Sequence, residues 1–342
     1  MKYLKLACLV FGLGLLGYIL QTADLETVWG HVVQIGWVGM AFVLALQAVA
    51  FTTDVTGWNL TFKTLPVNSS WIGRLYLIRM AGEAFNNVTP LGSMGGEPVK
   101  AWMLKSHYGV TYPESAVSLV LAKTIIIIAL VLFLGIGFAL LFPSEELHGS
   151  FKIVAAAGLA ALSIGIGLFF LVQRFQITSL GGRWLSRTSL GHRIEGVLHL
   201  IHEFDERLVQ FYTERRLRFG GAFLLAFINW VLGVVEVYVV MGFLGHSISF
   251  VDAWIIEALA QLVRSGTFFV PASLGAQEGT FMLVCATMTG NSTLGLALSM
   301  VRRFRDIVWI LGGLGVWWFH SLRPTLAGEE KEATVNNTPS PR

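Results

Sequence analysis

Residues 79–103 read RMAGEAFNNVTPLGSMGGEPVKAWM. The flanks are apolar, but the middle, NNVTPLGSMGGEP, gathers the proline and glycines that break helices and carries the carboxylate of Glu97. Across the 342 residues 54% are hydrophobic and 13% charged, with a mean hydropathy of +0.66. Soluble domains carry about a quarter charged residues, so the chain belongs in a bilayer. Lipid cannot satisfy the backbone groups that proline and glycine set free. Irregular backbone at membrane depth persists only when it is buried in protein or lines a wet cavity.

A spanning helix takes about 20 apolar residues. Six segments qualify, at about 4–20, 36–62, 116–142, 153–173, 219–244 and 294–320. The first follows Lys2 and Lys5 and exits through LQTADLE, without a small-x-small cleavage site, so it is expected to be retained. Lys and Arg placement orients the spans. The connections at 21–35, 143–150, 245–253 and 286–293 hold none. The opposite side has Lys63, Arg74, Lys100, Lys105, a loop at 174–218 rich in arginine, Arg323 and Lys331. Both termini are therefore expected to be cytoplasmic.

Two apolar regions, 71–104 and 251–285, remain. Each carries a proline followed seven residues later by a glutamate: Pro90 to Glu97, and Pro271 to Glu278. Asp54 matches Glu236 and Lys123 matches Arg305 at nearly the same offset, whereas Arg79 and Arg264 match only loosely. The pattern predicts an all-α integral membrane protein of about six spanning helices plus two re-entrant helical hairpins, arranged as an inverted repeat. Such repeats build transporter sites at broken helices near the midplane. Residues 1–173 form the first half and 219–322 the second. Residues 174–218 read as a cytoplasmic amphipathic connection, whose Glu195, His199, His202 and Glu203 suit a solvated face better than a metal site, and 323–342 as a disordered tail.

Asp54, Lys123, Glu236, Arg264, Arg302, Arg303, Arg305 and Asp306 lie in or beside hydrophobic segments. Each costs about 2.5–3.5 kcal/mol at mid-membrane, so each must be functional or paired. Asp54 with Thr52, Thr53, Thr56 and Asn59 reads as one inward polar stripe, and Asp306 as a helical partner of Arg302 or Arg303. Glu97 and Glu278 either line a cavity or cap short helices. The cations suit a phosphate. The carboxylates suit an amine, gating or proton transfer. No P-loop, dinucleotide fingerprint, nucleic-acid module or catalytic constellation is present, and the two cysteines, Cys8 and Cys285, sit in apolar segments.

NVTPLGSMGGEPVKAW and FFVPASLGAQEG, on a chain of this size, resemble the lysylphosphatidylglycerol synthase transmembrane-region family, or flippase-like domain proteins, over about residues 5–322. The resemblance implies a multi-pass protein of the bacterial inner membrane that moves a lipid between leaflets, an anionic or aminoacylated phospholipid or an isoprenoid-linked lipid. It implicates Pro90, Gly95, Gly96 and Glu97, then Pro271, Gly275 and Glu278, with Arg264 beside them. The chain lacks the length for the synthase domain of fused members, so translocation carries over and aminoacyl transfer does not. The expected partners are a lipid substrate, with a homo-oligomer or a lipid-synthesis protein as further candidates, and no cofactor or nucleic acid. The alternative is a membrane enzyme, or accessory subunit, of headgroup modification.

Overall fold

The computed structural model describes residues 25–88, 95–142, 153, 156–160, 163–164, 215–267, 270 and 273–321. They form eight helices and no strand: α1 (Leu25–Thr61), α2 (Ser69–Val88), α3 (Gly96–Tyr108), α4 (Tyr112–Leu141), α5 (Arg216–Phe243), α6 (Phe250–Gly266), α7 (Ala276–Thr289) and α8 (Ser292–Ser321). The segment expected to span at 4–20, most of that at 153–173, nearly all of the connection 174–218, the tail 323–342, and Pro90 and Pro271 lie outside the described residues.

Three described helices, α1, α4 and α5, are long and apolar enough to cross a membrane, in agreement with the segments at 36–62, 116–142 and 219–244. The last expected segment, 294–320, lies within α8, whose first half carries Arg302, Arg303, Arg305 and Asp306. One boundary differs from expectation. Residues 25–35 continue α1 rather than forming a loop, and Gly36 (φ 61°) bends the helix where no other residue would be at ease.

The distribution of side chains is inside-out relative to a water-soluble bundle. Trp37 is 90% exposed, and Leu311, Trp318 and Phe319 also face outward, while Arg302 and Arg305 on the same helix as the last three are buried. Exposed apolar surface of this extent favours lipid over water.

Helices α1 and α5 are antiparallel neighbours. Gly39 near the start of α1 abuts Phe243 at the end of α5, and Arg218 at the start of α5 donates to the Phe62 carbonyl just past α1, at 2.8 Å. The other extensive packings fall into pairs. α1 packs on α2 and α5 on α6; α2 on α3 and α6 on α7; α3 on α4 and α7 on α8; α1 on α4 and α5 on α8. The remaining contacts also match, α2 with α8 and α6 with α4, then α4 with α5 and α8 with α1.

Close crossings rest on missing side chains. A Cβ on Gly96 would overlap the Gly82 carbonyl oxygen, so α2 and α3 meet backbone to backbone. A Cβ on Gly82 would strike the stem of Lys100, which lies across that glycine. A Cβ on Gly313 of α8 would likewise overlap the Met80 carbonyl oxygen of α2. Replacing Gly96 by Val is expected to lower stability by at least the ~1–3 kcal/mol of overpacking. Gly135→Ala on α4, where nothing lies near the added methyl, is expected to raise it by about 0.5–1 kcal/mol through helix propensity. Thermal unfolding of the two variants in detergent measures both.

Candidate functional site

The principal cavity among the described residues has a volume of about 360 Å³ and is walled by α1, α2, α4, α5, α6 and α8. Its lining mixes apolar side chains with many charged ones: Asp54, Arg79, Glu83 and Lys123 from one half of the chain, and Glu236, Glu257, Arg264, Arg302, Arg305 and Asp306 from the other. Lys123 lies eleven residues beyond Tyr112, about 17 Å along α4 at 1.5 Å per residue, roughly half the thickness of a hydrocarbon core.

In the first half, Arg79 of α2 pairs with Asp54 of α1 and lies over the Trp58 ring. Further along, Lys100 Nζ is held between Glu83 at 2.8 Å and Glu97 at 3.1 Å, and Lys123 Nζ approaches Glu97 at 3.5 Å. Asn86 binds the start of α3 by accepting from the Gly96 N–H at 2.7 Å, which leaves its amide to donate to Glu97 at 3.4 Å.

In the second half, Arg305 pairs with both Glu236 and Asp306, and Arg302 bridges Glu257 at 2.6 Å and Glu236 at 3.5 Å. Gln261 donates to Glu257 at 2.7 Å, so α5, α6 and α8 are tied by one network. Arg303 pairs with Glu278 of α7. Glu278 also caps its own helix, accepting from the Gly275 N–H at 2.8 Å, where Gly275 turns at φ 78°.

Ion pairs within the described residues stay inside each half. Contacts between halves are instead apolar or small, or hydrogen bonds to backbone carbonyls, from Arg218 to Phe62, Trp230 to Ile126, Trp254 to Phe133 and between His107 and His320. Phe133 of α4 stacks between Trp230 and Trp254 of the second half, and Gly137 lies against Ala258.

Of the residues singled out in the sequence, the cavity gathers Asp54, Lys123, Glu236, Arg264, Arg302 and Arg305. Glu97, Glu278 and Arg303 stand behind its wall, where each glutamate begins a helix and meets a cation of the following long helix. Gly95 and Gly96 belong to the helix start that Asn86 holds. Three expectations are corrected. Thr52, Thr53 and Thr56 line a groove on the opposite face of α1 from Asp54 and return their hydroxyls to their own helix carbonyls, so they form no common stripe with it. Asp306 pairs with adjacent Arg305, because its neighbours at helical spacing, Arg302 and Arg303, are claimed by Glu257 and Glu278. Lys100 is fully buried and is no cytoplasmic surface charge.

Arg264 differs from the other cavity cations. It lines the cavity with no ion-pair or hydrogen-bond partner among the described side chains. Two further wall groups, Glu236 Oε1 and Trp309 Nε1, also have no hydrogen-bond partner in the described protein. The cavity thus offers an unclaimed guanidinium to a polar guest, with two buried polar atoms in its wall left unpartnered.

An all-helical membrane protein with a charged cavity inside an apolar exterior is the class these features define. The family model described as the lysylphosphatidylglycerol synthase TM region matches residues 5–315, and the chain belongs to that family. It is similar to two proteins of Methanothermobacter thermautotrophicus named UPF0104 membrane protein. One is 27% identical, with 82% of this chain and 83% of the relative covered; the other is 25% identical, with 79% of each covered. It is also similar to UPF0104 membrane protein PH1989 of Pyrococcus horikoshii, at 22% identity over 75% of this chain and 80% of the relative. No solved structure matches it significantly.

Breaking a buried ion pair leaves a charge stranded, at about 3–5 kcal/mol. Arg305→Ala, which leaves Asp306 without its cation and Glu236 with only the longer contact to Arg302, is therefore expected to cost this much. Arg264→Ala strands nothing and is expected to leave the unfolding midpoint unchanged or slightly raised. Denaturation of the two variants in the same detergent distinguishes the structural arginine from the available one.

Proposed function

We propose that the protein translocates a lipid between the leaflets of the plasma membrane, carrying the polar headgroup through the charged cavity while the tails stay in lipid. The observation that carries this reading is Arg264, a cation on the cavity wall with no partner of its own, suited to the phosphate of an anionic or aminoacylated phospholipid or an isoprenoid-linked lipid.

The two halves are an inverted repeat in this reading. Its support is the antiparallel pairing of α1 with α5 and the matched packing of α1–α4 and α5–α8. The pairs α2–α3 and α6–α7 are then re-entrant hairpins from opposite faces, and the basic loops put both termini in the cytoplasm. Because buried ion pairs stay within halves, one half can rock against the other without breaking any of them. The rocking exchanges aromatic, aliphatic and glycine contacts and a few hydrogen bonds to backbone carbonyls.

Reconstitution of the purified chain into liposomes with tail-labelled phosphatidylglycerol, lysyl-phosphatidylglycerol or an isoprenyl phosphate tests this. Leaflet exchange, followed by chemical quenching of the outer label, is expected with at least one of them. In Arg264→Gln the rate should fall by about ten- to a hundredfold, the loss of one charge-assisted contact of ~1.5–3 kcal/mol. Absence of exchange with every lipid, together with covalent turnover of one, would place the protein among headgroup-modifying enzymes.

A further inference from the structure

Among the amides that line the cavity, Gln47 of α1 and Asn229 of α5 make no hydrogen bond with the described residues. Both are half-buried, so their polar ends are open to the cavity. Their places in the chain correspond. Gln47 precedes Asp54 by seven residues and Asn229 precedes Glu236 by seven, so the two amides are 182 positions apart, as are the two carboxylates. Seven residues make two helical turns, and each amide therefore shares the cavity-facing side of its helix with that carboxylate.

The antiparallel register of α1 and α5 sets the height of each amide. Gly39 abuts Phe243, and Gly57, eighteen residues on, abuts Leu225, eighteen residues back. On this register Gln47 stands level with Glu236 to within a residue, and Asn229 with Asp54. The two amides are then about six residues apart in height, ~9 Å at 1.5 Å per residue. Gln47 lies toward the start of α1 and Asn229 toward the start of α5, at opposite ends of the pair. What lies around them is selective. Each carboxylate lining the cavity is held by a cation of its own half, from Asp54 on Arg79 to Asp306 on Arg305, so an incoming ammonium would have to compete for it. Arg264 has no such partner among the described side chains. A carboxamide offers two N–H donors and a carbonyl acceptor, and a hydroxyl likewise donates and accepts. An ammonium only donates, so it uses one end of an amide and leaves the other idle.

We propose that Gln47 and Asn229 are specificity-determining residues that read the hydroxyls of a polyol headgroup, so that the lipid carried is a glycerol or sugar phosphodiester rather than an aminoacylated one. The proposal rests on the translocation reading and names its substrate class. The phosphate lies on Arg264, and the hydroxyls pass from one amide to the other as the headgroup crosses the distance between them. One amide in each half gives the headgroup an equivalent contact toward either end of the cavity, so neither position holds it back.

Leaflet exchange by the full chain in liposomes tests this with matched lipids. Tail-labelled phosphatidylglycerol is compared with phosphatidylethanol, which carries the same phosphodiester and no hydroxyl. A hexosyl isoprenyl phosphate is compared with its ethyl counterpart, and lysyl-phosphatidylglycerol supplies the amine. The hydroxylated member of at least one pair is expected to exchange about two- to tenfold faster, the worth of one neutral hydrogen bond, and lysyl-phosphatidylglycerol no faster than phosphatidylglycerol. The pair that discriminates tells a glycerol headgroup from a sugar. In Gln47→Met and in Asn229→Leu, both nearly isosteric, the preference should vanish while the lipid without hydroxyls keeps its rate. Gln47→Asn and Asn229→Gln should retain part of the preference. Equal rates within both pairs, faster exchange of lysyl-phosphatidylglycerol, or variants that slow both members alike or keep the preference overturn the proposal and leave translocation standing. Without exchange of any lipid, translocation fails. Binding of short-chain forms of the same lipids in detergent then decides, and equal affinity within both pairs, or a preference that survives in the variants, overturns the hydroxyl-reading site.

Discussion

Neutralisation of buried charge is the constraint on which the rest of this molecule depends. Glu236 and Glu257 could not remain in a helix bundle surrounded by lipid without Arg302 and Arg305, and those arginines could not be inserted without them. Satisfying both requirements fixes where α8 sits relative to α5 and α6. The same logic sets α2 against α1 through Arg79 and Asp54, and α3 against α2 through Lys100 and Glu83. Apolar packing supplies cohesion around these ties, but lipid is as apolar as leucine and does little to choose one partner over another. Selectivity comes from the ion pairs and from glycines that let backbones touch.

The short helices obey a second constraint. The short helices α3 and α7 each start inside the bundle, and each answers its N-terminus with a carboxylate in the first turn, Glu97 or Glu278. The two solutions differ in detail. Glu278 accepts from its own cap residue and pairs with Arg303, whereas at α3 the capping acceptor is Asn86, brought from the neighbouring helix. An acidic residue after a broken helix therefore serves the fold first, and the open chemistry of the cavity is left to other residues.

Much of this was legible in the sequence. Hydropathy located the long helices because twenty apolar residues admit few other readings. The repeated proline-to-glutamate spacing located the helix pairs, and a lone charge in an apolar run, as at Asp54, Glu236 or Lys123, marked the cavity. Glu83, Glu257 and Lys100 were not marked, since each sits in a segment mixed enough to pass for a surface. Burial of Lys100 depends on Gly82 lying beneath its stem, a juxtaposition of residues eighteen apart on two different helices. The split between threonines and Asp54 on α1 was available from helical angle alone, as positions 52 and 54 point to opposite sides.

The confinement of ion pairs to each half bears on how the chain is made. A polytopic protein enters the membrane from its N-terminus, and a charged helix waiting for a distant partner would wait in lipid. Here Asp54, Arg79, Glu83, Glu97, Lys100 and Lys123 complete their pairing among themselves, before any residue beyond α4 has been synthesised. The later half repeats this on its own account for all but Arg264, so the two units need no ion pair between them, and mostly apolar surfaces remain to be joined when α8 arrives.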